Sequence, residues 1–390
     1  MRLLDDRPAR RCSGRAPARA RPRGAAAALT PTAEILGPLT ERFGTPFFLY
    51  DLDAIRAKAQ RVKAAVPASI AYALKANPHP RIAEALAPIL DGVDVSSARE
   101  LAIATSAGFA GERVTFSGPG KTASAIAAAQ AAGARITAES EDQWARIGTY
   151  APRAVRVNPR ARVHAYRVAM GGVPSPFGVD EEALWALPDP IGVQVFAGSV
   201  IDSPRGVMRS VTATLDLVER LGGVDWVSFG GGWTPDFDVE RFGAMFGAAV
   251  DKFRAATGCA ATMGFELGRH LVADAGIYVA RVVSVKDSRG TRFVVLDGGL
   301  NHNLFATGHV GGDPPRVRNV SRSGPPEDVV ICGPLCTPLD TFGNHRVAAP
   351  RVGDLFVFAE RGAYGLTASP QAFIHHDPPA EIFASDGTFS

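Results

Sequence analysis

Cysteine is scarce in this chain: four residues in 390, at Cys12, Cys259, Cys332 and Cys336. They form no CxxC pair and no zinc spacing with the scattered histidines, which sets aside disulfide scaffolds and zinc ribbons and points to a reducing, cytoplasmic setting. Long apolar runs are lacking too. None reaches the roughly 18 residues of a membrane-spanning helix, so no membrane partner is expected. Nor is there a basic stripe in the body of the chain: net charge is +3, and much of the excess lies in the first 24 residues. Nucleic acid is therefore not an expected partner. That arginine-, proline- and alanine-rich start has no apolar core for a signal peptide. Its composition imitates a transit peptide or a nucleic-acid arm, but nothing in it builds a core. Residues 1–30 read as a disordered tail, or as translation assigned too far upstream.

From about residue 69 the chain alternates short β-branched runs with alanine-rich amphipathic stretches. The expected strands are Ser69–Leu74, Gly92–Val95, Val114–Phe116, Arg135–Ala138, Ala154–Val157, Ile191–Phe196, Trp226–Phe229 and Thr262–Glu266. Segments such as "PRIAEALAPIL" and "VTATLDLVERLGG" between them carry helical patterning. Strand-then-helix repetition implies right-handed crossovers and a parallel sheet. Eight such units over this length fit a (β/α)8 barrel of the TIM type, with an open doubly wound sheet as the alternative. After residue 272 the rhythm changes. "GIYVARVVSVKDSRGTRFVVLDGG" reads as antiparallel strands with a turn at "SRG", and "TPFFLYDLDAI" before the barrel is strand-like as well. The expected organisation is a strand segment at 31–50, a barrel at 51–272 and a C-terminal all-β domain at 273–390, the β domain being built from both ends of the chain.

The strand ends carry the chemistry. Lys75 follows the first apolar run at "KANP", where Pro78 stops the ladder. A lysine at the tip of a buried strand is costly unless solvent, an anion or a covalent bond takes its ammonium group. Asp94 and Ser96 lie at the second strand end, Arg156 and Asn158 at the fifth, Ser199 after the sixth. "GGG", Gly230 to Gly232, follows the seventh, and Glu266 with Arg269 ends the eighth. Glycine amides approach a phosphate closely, although a lone glycine run is also an ordinary tight turn. Glu266 is either a plain ion-pair partner of Arg269 or a carboxylate that keeps a heterocyclic nitrogen protonated. A lysine nucleophile, a phosphate cup and a carboxylate for a ring nitrogen are together what pyridoxal 5'-phosphate requires.

In its motifs the chain resembles the fold-type III pyridoxal-phosphate decarboxylases, the diaminopimelate, ornithine and arginine decarboxylases and their relatives. The resemblance rests on "YALKAN", "DVSSARE", "FSGPGKT", "ITAES", "VRVNP", "FGGGW", "ELGRHLVA", "CGPLCTPLD" and "GAYG", across roughly residues 40 to 385. It implies an alanine-racemase-like barrel with a β domain, the cofactor itself, and amino-acid decarboxylation in a homodimer with shared active sites. Residue by residue, it implies that Lys75 bonds the cofactor's aldehyde. Gly230, Gly231, Gly232, Ser199, Arg269 and Tyr364 would hold the phosphate, and Glu266 the ring nitrogen. Asp94 and Arg156 would form an ion pair beside the cofactor. Cys336 would enter the partner's site and return a proton to the substrate carbon, with Lys75 as its rival. Asp340, just beyond, would touch substrate.

Departures from the family pattern bear on the substrate. The sixth strand reads "QVFAGS" where "HFHxGS" is usual, so Phe196 stands in place of the histidine that packs on the cofactor ring; it can stack but not titrate. "GLNHNLFA" lacks the Arg and Tyr with which diaminopimelate decarboxylases bind the distal end of their substrate, and "CTP" replaces "CES". These features resemble a subgroup that serves specialised biosynthesis, decarboxylating free or acyl-carrier-linked amino acids. Diaminopimelate decarboxylation, amino-acid racemisation, a non-catalytic cofactor-binding homologue and a sugar-phosphate barrel enzyme remain alternatives. A racemase favours arginine at the ring nitrogen, which Glu266 opposes, and the sugar-phosphate reading leaves Lys75 and Tyr364 without a role.

Overall fold

A computed structural model describes residues 31–390 except 161, 163–164, 189–190 and 311–314. The arginine-rich tail lies outside the described residues. All eight expected strands form one closed parallel barrel. Their observed bounds are Ser69–Ala73, Gly92–Val95, Val114–Phe116, Arg135–Ala138, Arg153–Asn158, Gly192–Gln194, Trp226–Ser228 and Thr262–Leu267. The ring closes where Arg135–Ala138 pairs with Arg153–Asn158 and where Thr262–Leu267 pairs with Ser69–Ala73. The open-sheet alternative is thereby removed.

Alternation along each strand sorts the side chains. Ile70, Tyr72, Val93, Val193, Val227 and Phe265 are buried in the core between barrel and helices. The intervening residues face the barrel axis. Helices are started by local caps: Ser97, Thr122, Ser140 and Ser203 each accept a backbone N–H with their hydroxyl. Pro204 opens the helix Pro204–Leu221, and Gly222 at φ 75° closes it. Each cap fixes where a strand-to-helix loop ends, and those loops form the mouth of the barrel.

The second unit is a mostly antiparallel sheet. Its first strand, Phe47–Asp51, lies between Gly276–Ser288, to which it is antiparallel, and Ala380–Ser385, to which it is parallel. Both chain ends therefore build this sheet. Residues 31–50 are not strand throughout. Ala33–Phe43 is a helix that buries Leu36 and Leu39 on one face and ends at Gly44. The expected "SRG" turn joins Gly276–Ser288 to Thr291–Leu296 with Arg289 at φ 51° and Gly290 at φ 82°. Two consecutive positive φ angles match the right-handed twist of the paired strands.

Candidate active site

Lys75 leaves its strand on a short 3-10 turn, Leu74–Ala76. Its Nζ donates to Asp94 Oδ2 at 2.6 Å. The Lys75 side chain is 44% exposed and that of Asp94 1%, so the amine is open to the mouth while its partner is sealed beneath it. Burial pulls the Lys75 ammonium down, but the Asp94 carboxylate, with Tyr364 and Glu266 further off, outweighs burial and holds it above an ordinary lysine. Asp94 does not meet Arg156, as the resemblance implied. Arg156 Nη1 donates instead to Glu139 Oε2 at 3.0 Å, both groups being buried. The cause is strand order: two barrel strands lie between those of Asp94 and Arg156. Asp94 sits opposite Ala73 across the ladder, next to Lys75, while Glu139 follows the strand Arg135–Ala138 that neighbours Arg156.

Glu266 is held from the side. Gln194 Nε2 donates to Oε1 at 2.8 Å and to Oε2 at 2.7 Å, and Ser228 Oγ donates to Oε1 at 2.8 Å. Burial first, then the Asp94 charge, push the Glu266 carboxyl up to about 7, against the opposing pull of Lys75 and these donors. Glu266 and Arg269 do not form the ion pair that was the plainer reading of their spacing. The Arg269 guanidinium lies 4.9 Å from the centre of the Tyr364 ring, and its Nε is buried with no hydrogen-bond partner among the described residues.

The glycine turn is a backbone cradle. A Cβ on Gly231 would stand 2.2 Å from Glu266 O, one on Gly232 2.4 Å from Gly198 O, and one on Gly230 2.4 Å from Phe196 Cδ2. Gly230 and Gly232 also have φ of 67° and 85°. Ser199 follows Gly198 in the neighbouring loop. Tyr364 joins this group from the β domain. Its N–H donates to Ala76 O at 2.7 Å, one residue beyond Lys75. That bond anchors Tyr364 at φ 53°, a left-handed conformation that a tyrosine rarely takes. Phe196 is half-buried on Gly230, with the Arg156 guanidinium 5.5 Å from its ring centre.

Lys75, Asp94, Glu266, Ser199, the three glycines, Arg269, Tyr364, Phe196 and Arg156 thus share the barrel mouth. The set fits pyridoxal phosphate. The Arg269 Nε lacks a partner, the glycine turn admits no side chain, and a lysine and a carboxyl of raised pKa face one another across the space. Cys336 is elsewhere, exposed on the loop between Cys332 and Thr341. Asp340, expected to touch substrate, is engaged by backbone amides within its own chain. Its oxygens accept from Leu300 N at 2.7 Å and Leu335 N at 2.8 Å, and it packs so closely on Gly299 and Gly333 that neither has room for a Cβ. A short acid among glycines and a proline is used here to pin two loops together.

Four residues of this site were not singled out from the sequence: Gln194, Ser228, Glu139 and Phe305. Gln194 and Ser228 share strand parity with Phe196 and Gly230, so period-two counting from those positions marks both as inward. Glu139 was visible within "ITAES". Phe305 had no local signal; it stacks on Tyr364 with ring centres 5.5 Å apart, a contact made only by folding.

Comparison with known proteins agrees with this geometry. Residues 52–273 match the family model described as "Pyridoxal-dependent decarboxylase, pyridoxal binding domain". The chain is 35% identical to L-glutamyl-[BtrI acyl-carrier protein] decarboxylase of Niallia circulans, over 90% of this chain and 91% of that protein. It is 31% identical to diaminopimelate decarboxylase of Deinococcus radiodurans, over 88% and 90%. In fold it is similar to the crystal structure of diaminopimelate decarboxylase from "m. jannaschi", with a TM-score of 0.82 at 23% identity, covering 90% of each chain. The chain belongs to the pyridoxal-dependent decarboxylases, enzymes that use pyridoxal 5'-phosphate to remove the carboxylate of an amino acid as CO2.

Proposed function

We propose that this decarboxylase acts on an amino acid presented on an acyl carrier protein, of the glutamyl class, in specialised biosynthesis. The observation that carries the reading is that the segment Leu300–Ala306, which meets Tyr364 through Phe305, offers no cationic side chain of its own. In Leu300–Ala306 the polar side chains turn inward. Asn301 meets His302, His302 lies 3.4 Å from the Tyr278 hydroxyl, and Asn301, His302 and Asn303 are all buried. Phe305 faces Tyr364. A free diaminopimelate would bring a second charged amino-acid head to this segment, and a charge buried without partners costs several kcal/mol. A glutamyl group joined through its side-chain carboxyl as a thioester has no distal charge. The Niallia circulans relative, whose name specifies an L-glutamyl group on an acyl carrier protein, supports the same choice.

In this reading the cofactor, when bound, supplies the electron sink for the bond that breaks. Gly230–Gly232, Ser199, Arg269 and Tyr364 would hold its phosphate. Lys75 would be the residue that bonds its aldehyde, and Asp94, which already accepts from Nζ, would hold the free ammonium in place. Glu266, steadied by Gln194 and Ser228, would keep the ring nitrogen protonated. Phe196 supplies a flat apolar face that excludes water. Cys336 returns a proton to the substrate carbon from across a homodimer interface; its exposure and that of Leu339, at 59%, support a covering partner. A cytoplasmic setting belongs to the same reading, supported by the scarcity of cysteine.

The test is competition kinetics among glutamyl-loaded carrier protein, free glutamate and free meso-diaminopimelate, read as CO2 release and product mass. The loaded carrier should have the highest kcat/KM. A constant for free diaminopimelate tenfold above the others, about 1.4 kcal/mol of preference, overturns the reading in favour of lysine biosynthesis.

A further inference from the structure

A (β/α)8 barrel is ordinarily filled by layers of bulky branched side chains. This one is not. A cavity of about 350 Å³ runs inside it, walled by Ser69, Ala71, Thr115, Ser228 and Gly264. Their ladder partners place these residues side by side: Gly264 pairs with Ser69, Ser228 with Gly264. Gly264 cannot be enlarged, since a Cβ there would stand 2.7 Å from Ser69 O. One end of the cavity is the barrel floor, where the strands begin. There Asp91, Glu112, Arg113, Arg135 and Asp225 form a charged rim. Arg135 pairs with Glu112 at 2.7 Å and lies 4.9 Å from the Trp226 ring centre. The other end is Glu266.

Polar groups at both ends lack partners. Arg135 Nε at the rim and Gln194 Oε1 beside Glu266 are buried without a hydrogen bond among the described residues. Buried polar atoms are rarely left so, and a polar cavity large enough for several waters is where ordered water is found. The remaining charges facing Glu266 are Asp94 and Lys75, both on the mouth side.

We infer that water fills this cavity and connects Glu266 to solvent at the barrel floor, so that its proton exchanges through the face opposite the substrate mouth. The inference rests on the reading of Glu266 as the acid at the cofactor's ring nitrogen. The cavity gives the Glu266 carboxyl a route to the barrel floor that does not pass through the mouth. The step is a balanced exchange. In its protonated form the Glu266 carboxyl breaks its O–H bond toward the first water, and a proton, or a deuteron in D2O, returns along the same hydrogen-bonded chain from the rim, so the carboxyl ends as it began. Ser228, which donates to Glu266 and lines the cavity, is the link between carboxyl and water.

The experiment fills the cavity with Ala71→Ile and, separately, Thr115→Ile in the holoenzyme. Crystal structures of the wild type and both variants report the waters and the plug. Rapid-mixing infrared spectroscopy in D2O, by difference against Glu266→Gln, reports exchange at the Glu266 carboxyl. Ordered waters from rim to Glu266 in the wild type, and exchange at least tenfold slower in a correctly folded variant, are expected. A dry cavity in the wild type, or unslowed exchange with the plug in place, overturns the inference. Glu266→Gln that leaves the absorbance of bound cofactor unchanged overturns the underlying assignment of Glu266. A shifted absorbance with unslowed exchange overturns the water path alone.

Discussion

Gln194 donates through one amide nitrogen to both oxygens of Glu266, at 2.8 and 2.7 Å. A neutral donor here stabilises the ionised carboxylate without adding charge, yet burial and Asp94 still leave the carboxyl raised to about 7. A carboxyl raised in the folded state binds its proton over a range where the unfolded chain has released it. Its contribution is therefore fully present below about 4.5 and is lost as pH rises through about 7. The apo-protein should lose on the order of 3 kcal/mol between these limits. Urea unfolding across that range checks this. Glu266→Gln should flatten the slope, and Gln194→Leu should steepen it by removing two hydrogen bonds to a charged group.

Asp340 should behave as a structural residue. Asp340→Ala leaves the buried N–H groups of Leu300 and Leu335 without acceptors, each costing about 1–3 kcal/mol. The expected result is a lower urea midpoint and a faster reaction of Cys336 with thiol reagents, because its loop is released. KM should change less than stability. A variant of normal stability with a selectively raised KM would restore Asp340 to the substrate.

Lys75 and Cys336 should complement across subunits. Lys75→Ala should lose the cofactor-linked absorbance and turnover; Cys336→Ala should keep the absorbance and lose most turnover. After subunit exchange in an equal mixture, half of the dimers are mixed, each with one intact site, so about a quarter of wild-type sites should return. Absence of recovery after proven exchange would show that the sites are not shared.

Much of this protein was legible in its sequence for a physical reason. Strand alternation and βα punctuation are local, so Gly92–Val95, Val114–Phe116 and Arg135–Ala138 could be bounded from the residues alone, and their order implied a barrel whose functional side chains gather at one end. The candidate cofactor residues stood out because a lysine, a glycine turn and an acid fall together at the ends of strands, where a barrel gathers its functional side chains. Tertiary structure decided the rest, because pairing between distant segments has no local signature. It turned Arg156 from Asp94 to Glu139 and committed Asp340 to two backbone amides. It placed Phe305 against Tyr364, and it left the barrel axis open, where Ser69, Gly264 and Ser228 meet from three strands. Each of those outcomes depends on which strand lies beside which, and only closing the sheet sets that.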